Sequence, residues 1–278
     1  MGKTLYLTDL DGTFLHPNAQ IGEDSKKIIN YLLSQGVLFS VSTARTYATV
    51  IPMFREINLQ YPLVLMNGVC IYDPLYNRTL CHHSIDIADG REIERIFLKH
   101  CKNPMLYFEN NDHLCVQYRW LENELQRSYV SSRDGFYNKG FEQVPHYDYT
   151  GKGDLIYAVT LDKKNDLDAI YYEVSKLPGV DWNYYSDSYT DCFFLEGMKA
   201  GISKASGARE VKEMVGADRI VAFGDNKNDI TLFEAADEAY AVGNACEELK
   251  RVATGVIASN DADAVAKFML SRFENGTI

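Results

Sequence analysis

The chain has 278 residues, of which 46% are apolar, and a formal charge of −11 at pH 7. This length suits two modest domains, or one domain that carries a large insertion. The negative charge argues against nucleic acid as a partner, because phosphate backbones bind to basic surfaces. No segment approaches the roughly 20 uncharged apolar residues of a membrane span, and the N-terminus lacks the pattern of a signal peptide. We therefore expect a cytoplasmic protein without nucleic-acid or membrane partners, present as a monomer or a weak homodimer.

Apolar runs alternate with helical periodicity through the first third of the chain. Asp9, Thr43 and Asn67 each directly follow an apolar run. This alternation predicts an α/β fold with a doubly wound, Rossmann-like parallel sheet, in which ligands bind at the carboxyl ends of the strands. The predicted elements are strands at 4–8, 37–42 and 63–66 and helices at 23–34 and 46–57.

The pattern changes after Asn67-Gly68. A hairpin is predicted from 69–72 and 79–82, and a stretch follows in which 12 of the 19 tyrosines fall, between positions 78 and 190. We interpret 78–190 as an α+β domain inserted into a core formed by 1–77 and 191–278. Within this insertion, helices are predicted at 89–101 and 165–177 and strands at 105–109, 114–118 and 155–161.

The alternation of strands and helices resumes in the last third of the chain. It predicts that this segment completes the parallel sheet begun at the N-terminus. The predicted elements are helices at 203–215, 228–236, 247–252 and from about 261, and strands at 219–223, 239–242 and 256–258.

The motif Asp9-x-Asp11-Gly12-Thr13 follows the first predicted strand. Residues two apart in a strand point the same way, so both carboxylates can face one crevice. One acid can attack phosphorus and form an aspartyl-phosphate, while the other transfers the proton. Gly12 allows the backbone to approach a phosphate closely. An ordinary strand that ends in an Asp-Gly turn would explain the same residues.

Two further residues can bind a phosphoryl group. Thr43 places a hydroxyl at a strand end, next to the free amides of a helix start. Lys204 opens a predicted helix, where the helix dipole disfavours a cation, so it can be held there to neutralise charge. The alternatives are a plain helix cap at Thr43 and a solvated surface lysine at position 204.

The segment Gly224-Asp225-Asn226-Lys227-Asn228-Asp229 places oxygen ligands after another predicted strand. Asp225 is the strongest metal candidate. Two acids of the first motif, Asp225 and a phosphate would repel one another strongly, and Lys204 alone cannot balance them. Magnesium fits, because it prefers oxygen ligands and binds through one or two carboxylates with water and substrate phosphate.

In this order, the four motifs resemble the haloacid dehalogenase superfamily of phosphatases. The large insertion before Lys204 is similar to the cap of its Cof-like, type IIB branch. The resemblance implies that Asp9 is the nucleophile and Asp11 the general acid/base. It further implies phosphate binding by Gly12, Thr43, Lys204 and Asn228, magnesium binding by the Asp9 carboxylate, the Asp11 carbonyl and Asp225, and supporting roles for Asp229, Ala44 and Asn67.

The chain departs from the family pattern at one position, and a second match to that pattern has another explanation. The Cof-like branch usually has Thr-Gly-Arg where this chain has Thr43-Ala44-Arg45, which we interpret as a tuning change near the phosphate. Asn67-Gly68 looks like the family's Asn-Gly at the start of the cap connection, and a hairpin turn explains it equally well.

The leading hypothesis is a Mg²⁺-dependent phosphatase of small phosphorylated metabolites, with sugar phosphates as the expected substrates, whose cap recognises the leaving group. Type IIB relatives close such a cap over the site, and tyrosines suit sugars or flavin-like rings, although most of them are expected to pack the cap sheet. The alternatives are a phosphomutase of the phosphomannomutase type and a non-enzymatic phospho-receiver or binding protein.

Overall fold

The computed structural model describes residues 2–135, 138–186 and 192–277. It divides into two compact units, Met1–Cys81 with Ser203–Ile278, and His82–Ile202. The first part of the chain contains β1 (Thr4–Thr8), α1 (Glu23–Ser34), β2 (Leu38–Val41), α2 (Tyr47–Met53), β3 (Leu63–Leu65), β4 (Cys70–Asp73) and β5 (Arg78–His82).

The middle of the chain alternates strands with three helices. Its elements are α3 (Ile87–Lys99), β6 (Met105–Asn110), β7 (His113–Tyr118), α4 (Glu124–Ser131), β8 (Lys139–Gln143), β9 (Asp154–Asp162), α5 (Lys164–Val174), β10 (Val180–Ser186) and β11 (Phe193–Lys199). The last part contains α6 (Lys204–Val215), β12 (Arg219–Gly224), α7 (Ile230–Ala235), β13 (Glu238–Ala241), α8 (Glu247–Val252), β14 (Gly255–Val256) and α9 (Ala264–Glu274).

The first unit is built on a five-stranded sheet in the order β14-β13-β12-β1-β2, with every neighbouring pair parallel. The interior strand β1 is apolar on both faces, and Leu5, Tyr6 and Leu7 are fully buried, as expected where helices cover both sides of a parallel sheet. The predicted α/β fold with a doubly wound parallel sheet is thus confirmed.

The third strand predicted for the parallel sheet, β3, is not part of the five-stranded sheet. A parallel bridge between Ser42 and Val64 joins it to the residue that follows β2. Beyond that bridge β3 pairs antiparallel with β4, and the order β3-β4-β5 forms a small separate sheet. The turn at Asn67-Gly68 therefore lies inside this β3–β4 hairpin.

The second unit is a six-stranded sheet in the order β10-β11-β9-β6-β7-β8. One face packs on α3 and α5 through residues such as Phe97, Leu106, Phe108 and Ile170. Tyr107 alternates with Leu106 and Phe108 and so points to the opposite face, where its hydroxyl meets that of Tyr129 on α4 at 2.8 Å. No helix among the described ranges is both long enough and apolar enough to cross a bilayer.

The compact units divide at other positions than the predicted domains, whose boundaries lay at 77/78 and 190/191. Strand β11 pairs antiparallel with both β9 and β10, so the described residues 192–202 belong to the second unit rather than the core. The helices at 23–34 and 247–252 have the predicted bounds. Elements α4, β8, β10 and β11 are additional to those predicted.

Candidate active site

The site begins where two neighbouring strands end. Strands β1 and β12 run in parallel with Thr8 opposite Phe223, and the Asp9 amide donates to the Phe223 carbonyl at 3.0 Å. Asp9 and Asp225 therefore leave the sheet side by side at its carboxyl edge. Asp229 closes a short helical turn, Lys227–Asp229, that follows β12.

Three carboxylates gather around one lysine. An oxygen of each of Asp9, Asp225 and Asp229 lies within 4.8 Å of an oxygen of the other two. The Lys204 ammonium donates to Asp9 Oδ1 and to Asp229 Oδ1, both at 2.6 Å. Lys204 is 1% exposed, Asp9 is 5% exposed and Asp229 is fully buried. The alternative of a solvated surface lysine at position 204 is therefore wrong.

Burial and mutual repulsion shape the electrostatics of this cluster. Burial, with the Asp229 and Asp225 charges, raises the pKa of Asp9 well above its usual range, although Lys204 opposes the shift. Burial and the Asp229 charge likewise raise the pKa of Asp225 to about 6. Burial disfavours the Lys204 ammonium, but Asp229 and Asp9 outweigh it and raise the pKa of Lys204. The cluster thus holds more negative charge than its single cation neutralises.

Asp225 lies close to Gly12 and Thr13 of the first motif. The Thr13 hydroxyl donates to Asp225 Oδ1 at 3.0 Å. Gly12 has a φ of +76°, and a Cβ added there would lie 2.4 Å from Asp225 Oδ2, so only glycine suits both the backbone conformation and the space. The side-chain amide of Asn244 donates to the Gly12 carbonyl at 2.8 Å and helps to fix the loop.

Asp229 organises the second acidic loop. Its Oδ2 accepts hydrogen bonds from the backbone amides of Asp225 at 3.0 Å and Asn226 at 3.2 Å, while its Oδ1 accepts from Lys204. One buried carboxylate thus shapes the loop that carries Asp225 and connects it to the lysine on α6.

Asp11 lies apart from the three clustered carboxylates. Its side chain is 56% exposed, and both of its oxygens accept from Arg45, from Nε at 2.7 Å and from a terminal nitrogen at 2.6 Å. Such a two-point ion pair fixes the carboxylate plane as well as its position. The sequence predicted no role for Arg45, although the Thr-Gly-Arg pattern of the Cof-like branch has an arginine at this position.

The remaining predicted site residues differ in placement. Thr43 is buried, and its hydroxyl accepts from the Arg45 amide at 3.2 Å. The helix cap of α2 is Thr46, so the alternative of Thr43 as that cap is wrong. Ala44 is exposed and has no positive φ, which means that alanine causes no backbone strain where the Cof-like branch has glycine.

Asn67 and Asn228 also lie outside the carboxylate cluster. Asn67 is buried with a φ of +56°, and its Oδ1 has no hydrogen-bond partner in the described part of the chain. A Cβ on the adjacent Gly68 would lie 2.2 Å from the Ser203 carbonyl, so this turn packs tightly against the start of α6. Asn228 is exposed.

The fold and the cluster define the class of protein, an α/β enzyme with an acidic site at the carboxyl edge of a parallel sheet. The chain belongs to the haloacid dehalogenase-like hydrolase family, whose profile matches residues 6–269. The predicted superfamily, with its Cof-like branch, is confirmed.

Curated relatives of similar length agree with this family. The chain is 25% identical to the 5-amino-6-(5-phospho-D-ribitylamino)uracil phosphatase YitU of Bacillus subtilis, over 97% of both chains. It is 24% identical to the pyridoxal phosphate phosphatase YbhA of Escherichia coli, over 95% of this chain and 96% of that protein. The predicted enzyme class, a phosphatase of this superfamily, is thereby confirmed.

Solved structures show the same fold at lower identity. A haloacid dehalogenase-like hydrolase from Bacteroides thetaiotaomicron superposes with a TM-score of 0.78 at 18% identity, covering 97% of this chain and 99% of that one. The subclass IIB sugar phosphatase BT4131 superposes with a TM-score of 0.75 at 18% identity, covering 99% of this chain and 100% of its own.

Proposed function

We propose that the protein is a Mg²⁺-dependent phosphatase that hydrolyses phosphate monoesters of small metabolites through an aspartyl-phosphate on Asp9. The observation that carries this proposal is the cluster of Asp9, Asp225 and Asp229 around the buried Lys204. It combines a nucleophile, a candidate cation site and a fixed positive charge within a few ångströms, which is what phosphoryl transfer requires.

The donor set suits magnesium. The cluster offers carboxylate oxygens, which hard divalent cations prefer, and no thiolate or imidazole. Asp9, Asp225 and the Asp11 backbone carbonyl would hold the ion, with Asp229 in support. When bound, the ion would neutralise the phosphoryl oxygens and lower the repulsion between the substrate and the acids.

Each residue of the candidate site has a proposed role in the reaction. A carboxylate oxygen of Asp9 attacks phosphorus as the bond to the leaving oxygen breaks, and Asp11 gives that oxygen a proton. Asp11 then takes a proton from the water that attacks the phosphoryl-aspartate, which releases phosphate and restores Asp9. Lys204, Thr43 and the backbone at Gly12 bind the phosphoryl oxygens.

Arg45 has a positioning role in this proposal. It fixes the plane of the Asp11 carboxylate through both of its oxygens. The leaving group must compete for one of these oxygens, so substrate binding and the Arg45–Asp11 ion pair are coupled.

We propose that residues 82–202 act as the cap that selects the leaving group, and that the enzyme works in the cytoplasm. The relatives support a phosphorylated metabolite, since their names give a phosphoribitylamino-uracil, pyridoxal phosphate and a sugar phosphate as substrates. Sugar phosphates are the substrate class to test first.

The test is phosphate release by Asp9→Asn from p-nitrophenyl phosphate with Mg²⁺. We expect turnover to be lost while the fold is kept, because the change is nearly isosteric. Asp261→Asn is the matched control, since Asp261 is exposed and lies in the same unit. Unchanged phosphate release by Asp9→Asn would refute the assigned nucleophile. Release by the unmodified protein without a bisphosphorylated activator distinguishes a phosphatase from a phosphomutase.

A further inference from the structure

The first unit contains a cavity that lies apart from the acidic cluster. It has a volume of about 630 Å³, and its walls come from the end of α2, the segment between α2 and β3, and the turn between β4 and β5. The segment precedes β3, which a parallel bridge aligns with the direction of β2. The cavity therefore lies at the amino edge of the sheet, whereas Asp9 and Asp225 follow the carboxyl ends of their strands.

The floor of this cavity is apolar and fixed by packing. Of the ten lining residues, seven have apolar or aromatic side chains, and Phe54, Ile57 and Leu59 are 3%, 5% and 6% exposed. The Phe54 ring stacks on the Phe14 ring with 6.1 Å between their centres. Sites for small molecules typically have roughly 300–1,000 Å³, with a mostly apolar lining and a few polar groups. The floor thus suits the apolar body of a small molecule.

Arg55 is the one charged residue of the lining. It is exposed, and it has no ion pair or hydrogen bond with any residue of the ranges that the structure describes. The adjacent acid, Glu56, instead pairs with Lys26 at 2.5 Å. The lining therefore carries a charge opposite in sign to that of the whole chain, which has 39 acidic and 28 basic residues. A guanidinium with free donors can hold a carboxylate through two parallel hydrogen bonds.

We propose that this cavity binds a small amphipathic carboxylate. Its apolar body would lie on Phe54, Ile57 and Leu59, and its carboxylate would pair with Arg55. A second copy of the chain is the rival occupant, because Leu75 in the lining is 58% exposed. A twofold interface, however, places a patch against its own copy, and this lining has no acid to offer Arg55. The inference goes beyond the proposed function and does not depend on it.

The test compares octanoate with octanamide, its uncharged counterpart, by calorimetry. The unmodified protein should bind octanoate at least about 5-fold more tightly, as a charge-assisted hydrogen bond at a partly solvated site would provide. Arg55→Gln should remove most of this preference. Leu75→Glu should weaken octanoate binding by a similar factor, because an acid in the lining would pair with Arg55 and repel the carboxylate. Arg251→Gln is the matched control and should keep the preference, since Arg251 is an exposed arginine of the same unit outside the lining.

Thermal unfolding followed by circular dichroism confirms that each variant is folded. Octanoate that does not bind, binds no better than octanamide, or binds equally well to Arg55→Gln would overturn the inference. Displacement of octanoate by inorganic phosphate with Mg²⁺ would also overturn it, because the anion would then occupy the acidic cluster. A dimer in sedimentation that Leu75→Glu dissociates would assign the cavity to a second copy instead. Phosphatase activity is not among these measurements, so a failure of the proposed function and a failure of this inference are distinguishable.

Discussion

Replacing the buried Lys139 with methionine should make the second unit more stable at neutral pH. Burial, with a smaller contribution from the Arg133 charge, lowers the pKa of the Lys139 amine from 10.5 to about 7. Among the described residues, the amine contacts Tyr107 and Phe141, and the Arg133 charge acts on it. None of these groups stabilises the charged form as a carboxylate would. Methionine has a similar length and adapts its shape to an apolar site.

The expected gain in folding stability follows from the difference in proton binding between the folded and unfolded chains. A fall in pKa from 10.5 to about 7 corresponds to at most about 5 kcal/mol of lost folding free energy at pH 7. Between pH 7 and pH 10.5 the unfolded chain binds the proton and the folded chain does not, so the stability contributed by Lys139 rises with pH. Below about pH 7 the full free-energy cost of burying the charged amine is present. The advantage of Lys139→Met should therefore shrink by about 2 kcal/mol between pH 7 and pH 9.

Tryptophan fluorescence during urea unfolding measures this quantity in the right unit, because Trp120 and Trp182, the two tryptophans of the chain, both lie within residues 82–202. The free energy of unfolding is compared for the unmodified protein and Lys139→Met at each pH, so that other titrating groups cancel. A Lys139→Met variant that is less stable at pH 7, or whose difference from the unmodified protein does not vary with pH, would refute the reasoning.

Three further outcomes concern the first unit. Asp225→Ala should raise the Mg²⁺ concentration needed for half-maximal activity by at least about 10-fold, because a carboxylate ligand is lost, and an unaltered metal titration would count against its role. Gly12→Ala should abolish most phosphate release, since the added methyl would lie 2.4 Å from Asp225 Oδ2 at a φ of +76°; activity near that of the unmodified protein would show that the loop tolerates a side chain. Arg45→Lys should lower kcat by about 10- to 100-fold, because one ammonium cannot hold both oxygens of Asp11, and an unchanged kcat would remove Arg45 from the mechanism.

Periodicity determined the local elements of this protein. The helix at 23–34 could be predicted with its bounds because Ile29, Leu32 and Leu33 recur at helical spacing, and all three are buried. The parallel sheet followed from the alternation of such segments. Asp9 and Asp225 could be found because each stands at the end of a strand.

The partners across the sheets could not be predicted in this way. The sequence of β11 does not indicate which strands it joins, and its pairing with β9 and β10 places it in the second compact unit. The ion pair of Arg45 with Asp11 and the burial of Lys139 arise from the packing of distant segments. A side chain's neighbours across a fold depend on the register and packing of whole elements, whereas its local conformation depends on residues a few positions away. The sequence alone determined where the acids and helices lie along the chain, and only the tertiary structure decided which charges face one another.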